Sequence, residues 1–162
     1  MQTARVPGTA VVLLALTAVA CGGGGPVSPE SGTSFQGVWD GQWQRTSCSE
    51  TGGAQGFCSR TPTSGAFRVT LSQSGTEVQG TLEFAAFVVP VTGAVTGGTL
   101  SLSGQSHQQF PDGAATGRLS NWSTTRSGNT MNGSFTFSIV ADNPAFGSQT
   151  VSVTLQNVTK TS

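Results

Sequence analysis

One histidine, seven carboxylates and three cysteines are the residues of this 162-residue chain best suited to chemistry. His107 stands in Gly104-Gln-Ser-His-Gln-Gln-Phe-Pro-Asp-Gly113, which reads as a polar loop running to Ala115. A nucleophilic triad can be assembled on paper from His107, Asp112 and any of many serines. No Gly-x-Ser-x-Gly elbow is present to strain and expose such a serine, so the expectation is a solvated loop histidine. Metal sites draw on several His, Cys or carboxylate ligands. Here Glu30, Asp40, Glu50, Glu77, Glu83, Asp112 and Asp142 are scattered, and no pair has a spacing that argues for acid–base work. The sequence therefore reads as non-catalytic, with no metal and no cofactor. Phosphate loops and dinucleotide fingerprints are also lacking.

The cysteines say more. Cys48 and Cys58 form an even pair flanking the loop-like Ser49-Glu-Thr-Gly-Gly-Ala-Gln-Gly-Phe57. In an exported domain such a pair reads as a disulfide. Export is indicated upstream. Met1 to Arg5 carries one positive charge, and Ala10-Val-Val-Leu-Leu-Ala-Leu-Thr-Ala-Val19 is an apolar run too short to span a bilayer comfortably. Ala18-Val19-Ala20-Cys21 at its end resembles the bacterial lipobox, with Ala18 where leucine is commonest. The resemblance implies cleavage before Cys21, so that residues 1–20 are a signal peptide, and a diacylglyceryl thioether on the Cys21 sulfur. The other reading is an ordinary signal peptide cut after Ala20, with Cys21 a bystander thiol. Two or three acyl chains anchor a protein stably to a membrane it does not span. Gly22 is compatible with the outer membrane of the cell envelope. Residues 21–34 continue as Gly22-Gly-Gly-Gly-Gly25 and a Pro/Ser stretch, a tether with a mean reach of roughly 20 Å.

Beyond the tether, residues 35–162 read as one all-β domain. Charged residues are only 9% of the chain, net charge is zero and the single lysine is Lys160, which leaves no basic stripe for nucleic acid. Strict alternation marks strands at Phe35–Trp43, Phe67–Leu71, Val78–Phe84, Met131–Ile139 and Val151–Leu155. Ser74-Gly75, Gly97-Gly98 and Ser127-Gly128-Asn129 supply turns. Ser74-Gly-Thr-Glu-Val-Gln-Gly-Thr-Leu-Glu-Phe84 echoes Ser127-Gly-Asn-Thr-Met-Asn-Gly-Ser-Phe-Thr-Phe137 position by position. Its shared glycines, Gly80 and Gly133, fall on the apolar face, where a missing side chain permits sharp bending or close packing. These signals predict an eight-stranded antiparallel up-and-down barrel, with a two-sheet β-sandwich as the alternative. Scarcity of lysine favours closure, because open edges are commonly guarded by charge. Gly37-Val-Trp39 followed by a meander resembles the calycin barrels (lipocalins and avidins). That resemblance implies a cup for one small ligand, with Trp39 plugging its floor.

One strand breaks pattern. In Gly117-Arg-Leu-Ser-Asn-Trp-Ser-Thr-Thr-Arg126 neither face is apolar throughout. Either a bulge repairs the alternation, or Asn121 and Trp122 belong to a polar binding wall. Three functions follow. The first is a non-catalytic lipoprotein holding a small apolar ligand against Trp43, Phe84, Asn121, Trp122 and Phe135, although each ring reads more readily as core. The second is a protein-interaction or structural envelope module: adhesion, inhibition or assembly. The third is a small hydrolase built on His107. A ligand-sized cavity near Asn121 or Trp122 favours the first, and a filled barrel with exposed aromatics favours the second.

Overall fold

The computed structural model describes residues 33–162. The signal segment, Cys21 and the tether as far as residue 32 lie outside the described residues.

Alternating apolar residues drive each segment into a strand with one face inward. The eight strands are β1 (Gly37–Thr51), β2 (Ser64–Ser74), β3 (Glu77–Phe84), β4 (Phe87–Thr96), β5 (Thr99–Phe110), β6 (Gly113–Ser127), β7 (Thr130–Ala141) and β8 (Ser148–Lys160). Each pairs antiparallel with the next, and β8 returns to β1, closing the barrel in simple meander order. Closure removes the sheet edges, as the scarcity of lysine suggested. Residues 104–115 are not a loop: β5 and β6 continue through them as a hairpin, with Phe110 opposite Gly113. Gln105, His107 and Gln109 face outward there, while Gly104, Ser106, Gln108 and Phe110 alternate toward the interior. A polar inward set on one strand hid its periodicity.

The two ends of the barrel differ. The floor holds the two-residue turns 75–76, 97–98 and 128–129, the entering segment at Phe35 and the chain end. Trp39 is fully buried there, and its Nε1 donates to the Phe35 carbonyl over 2.7 Å. The Arg126 guanidinium lies 5.4 Å from the Trp39 ring centroid and donates to the Ser34 carbonyl, so one side chain clamps the entering segment across the floor. The opposite, distal end carries the short turns 85–86 and 111–112 and two longer connections, 52–63 and 142–147.

The echo of Gly80 and Gly133 has a packing cause. A Cβ on Gly80 would lie 1.9 Å from the Thr70 carbonyl oxygen, and one on Gly133 would lie 2.1 Å from that of Ser123. At both places the neighbouring strand's backbone takes the space of a side chain, which is how a small barrel turns tightly.

Candidate functional site

Four of the five residues assigned to a ligand cup lie inside the barrel and touch one another. Trp43 and Phe84 have ring centroids 5.2 Å apart, Phe84 and Phe135 5.0 Å, and Trp122 stacks on Phe135 at 5.0 Å. Phe137 extends the set at 4.9 Å from Phe84, and Phe87 and Phe110 carry it to the distal end. These separations are ordinary aromatic contact distances, so nothing fits between the rings unless they move. The Trp122 Nε1–H is satisfied by Thr124 Oγ1 at 2.9 Å. In the same interior row Ser106 Oγ is buried and, among the described residues, has no partner.

Asn121 takes a different place. It is exposed, with φ 51°, and β6 gains one residue on both its neighbours between Leu119 and Trp122. That bulge turns Leu119 and Trp122 inward together, which repairs the broken alternation. Asn157 (φ 52°) does the same in β8, turning Leu155 and Val158 inward.

The histidine has a carboxylate partner other than the one read from sequence. His107 Nε2 lies 2.8 Å from Asp142 Oδ2 on the outer wall, both groups more than half exposed. Asp112 sits in the β5–β6 turn. No serine oxygen is hydrogen-bonded to His107 among the described residues, and no cluster of three potential metal ligands occurs among them.

At the distal end the structure bears out the expected disulfide and adds contacts that the sequence reading passed over. Cys48 and Cys58 are bonded, pinning the 52–63 connection to β1. Arg45 Nη1 donates to the Cys58 and Thr61 carbonyls at 2.7 and 3.1 Å. Glu50 accepts the Gly56 and Cys58 N–H groups at 2.7 and 2.8 Å, and the Cys58 and Gly56 amides hold its carboxyl below the ordinary 4.5. Gln149 on β8 is only 9% exposed; its Nε2 donates to Thr61 Oγ1 at 2.6 Å and lies 3.4 Å from Cys48 Sγ. Thr51 and Ser148 hydroxyls, 2.8 Å apart, join this cap to the 142–147 connection.

Between the two connections lies an apolar cleft of about 200 Å³, lined by Ala54, Phe57, Ile139, Ala141, Phe146, Gly147, Ser148 and Gln149. Phe57 is 41% and Phe146 49% exposed at its rim. Val88 and Val140, the other exposed large apolar side chains, also lie at this end of the barrel. Phe57 and Phe146 escaped the sequence reading because both stand in single helical turns within the two longer connections, outside any alternating run. The available signal was an aromatic between two bridged cysteines in a glycine-rich loop. Comparison with known proteins gives no match: no family model, no curated protein and no solved structure is similar to this chain.

Proposed function

We propose that this protein is a lipid-anchored envelope lipoprotein whose barrel is a non-catalytic scaffold presenting its distal end to a partner protein. One observation carries the reading. Every exposed large apolar side chain among the described residues lies at the distal end, while the chain enters from its tether at the floor. Phe57 and Phe146 stand together on one apolar cleft there, and contiguous exposed apolar surface is characteristic of interaction sites. A lipid on Cys21 and thirteen residues between it and Phe35 would leave that end free of the membrane, as an outer-membrane lipoprotein of this form requires. Trp39 buried at the floor is in keeping with the calycin resemblance. The filled interior argues for scaffold over cup.

A small apolar ligand inside the barrel is the second reading, and the unpartnered Ser106 Oγ favours it. Native mass spectrometry on the protein extracted from its own host separates the two. The scaffold reading predicts the bare lipidated chain together with a discrete protein complex. A stoichiometric small-molecule adduct, lost on denaturation, would overturn it in favour of the cup.

A further inference from the structure

The circuit of eight strands is closed, but not over its full height. β4 and β5 pair from Thr96–Thr99 only as far as Val91–Gly104. Beyond that rung Phe87–Pro90 keep β3 as their one partner strand, and Gln105–Phe110 keep β6. At no other seam among the described residues do both strands continue past their last shared rung. The cause is local. Counting back from the two-residue turn at 97–98, Thr96, Ala94, Thr92 and then position 90 direct their backbone groups at β5. Position 90 is a proline, which has no N–H to give. Further along, Phe87 is buried. Its ring lies 5.3 Å from that of Phe110 and 5.4 Å from that of Phe137, and a Cβ on Gly117 of β6 would strike it. Phe87 thus reaches beneath the β5–β6 hairpin, and the β5 edge is left on the outside.

Such an edge is a template for another extended chain. Phe110, Gln108 and Ser106 direct their backbone groups at β6, so the N–H and C=O groups of Gln105, His107 and Gln109 point into the seam. Edges are commonly guarded by lysine, proline or a bulge. β4 carries Pro90, whereas Gln105–Phe110 carries none of these. The exposed side chains on this edge are also self-complementary. An antiparallel copy turned about His107 sets Gln105 opposite Gln109. Arg118 Nη2 donates to Gln105 Oε1 at 3.2 Å, which leaves the Gln105 NH2 group to be offered. Gln109 Nε2 donates to the Phe110 carbonyl at 3.1 Å, which leaves Gln109 Oε1 as an acceptor. Donor therefore meets acceptor on both sides of the axis. His107 stands on the axis with its Nε2 engaged by Asp142, so each imidazole brings its own carboxylate.

We infer that β5 is a dimerisation edge: two copies of this chain pair antiparallel through Gln105–Gln109, about a two-fold axis at His107. Self-complementary two-fold contacts are the commonest way in which identical chains associate. One short strand from each copy buries too little for a permanent interface, so the pair is transient and favoured by crowding. The contact uses the side wall and stands apart from docking at the distal end.

The test is disulfide trapping of the full chain in membranes of its own host, under mild oxidation with copper phenanthroline. His107→Cys should give a covalent dimer, because the Cα atoms of a bonded pair lie about 5.5 Å apart, within reach of a disulfide. Gln105→Cys and Gln109→Cys, each alone, should not, since each lies roughly 14 Å along the strand from its own counterpart. Co-expressed, those two variants should link to one another. Adding His107→Lys to both sets like charges opposite at the axis and should cut the mixed product about fivefold. The wild-type chain controls for the Cys21 thiol. Equal dimer yield from the three single variants would mark random collision and overturn the inference. So would failure of both His107→Cys and the mixed pair, or a mixed product that His107→Lys leaves intact. A product whose mass is not that of two chains would overturn it too, marking β5 as the docking strand for another protein.

Discussion

Two asparagines decide the shape of two strands. Asn121 and Asn157 hold left-handed backbone angles at which most side chains are strained and asparagine and glycine are tolerated. Each absorbs the extra residue that brings two apolar neighbours inward. Asn121→Gly should leave the thermal midpoint nearly unchanged, whereas Asn121→Val should cost about 1–2 kcal/mol by denaturant unfolding. Equal destabilisation by the two substitutions would remove the backbone explanation. Part of this was legible in sequence: the segment from Gly117 to Arg126 announced an irregularity. Its cause was not, because a bulge and a polar binding wall leave the same broken alternation, and only the register with β5 and β7 separates them. The aromatic residues were legible as inward-facing. Whether they line a space or fill it depends on ring-to-ring distances, which alternation does not encode.

Among elements, the strands and the cap follow different rules. Strand periodicity and turn glycines sufficed to read the hairpins at Gly75, Gly97 and Gly128, all at the floor. They failed at residues 104–115, where the inward set Gly104, Ser106 and Gln108 is not apolar. The cap of residues 52–63 has no periodicity at all. It is held by the Cys48–Cys58 bridge, which contributes about 3 kcal/mol on the chain-entropy model, and by Arg45, Glu50 and Gln149. The Glu50 carboxylate gives the cap a pH dependence of known sign. Its folded value lies below the ordinary 4.5, with the Cys58 and Gly56 amides as the cause. Stabilisation is therefore fully present above that ordinary value and is lost as pH falls through the lower folded one. Melting curves from pH 6 to pH 3 should show Glu50→Gln less stable than the wild type at pH 6, with the gap closing below pH 4.5. A gap that stays constant over that range would mean the carboxylate charge has no part in holding the cap.

At the scale of the whole molecule, the meander fixes which features share an end. An even number of strands in hairpin order returns the chain to the floor, so the entering segment at Phe35, Trp39, Arg126 and the last described residues gather there. The two long connections, Phe57 and Phe146 gather at the other end. Eight strands were readable from turn spacing and edge chemistry favoured closure, but a two-sheet sandwich stayed open until the β1–β8 pairing was seen. The polarity of the barrel follows from that count, but which end carries the exposed aromatics shows only once they are located in space. The most direct test is site-specific photocrosslinking in the native host, with the photoreactive residue at Phe57, at Phe146 or at the floor position Thr96. The account predicts discrete protein adducts at Phe57 and Phe146 and none at Thr96. Adducts of equal yield at both ends, or protein adducts at Thr96 alone, would contradict it.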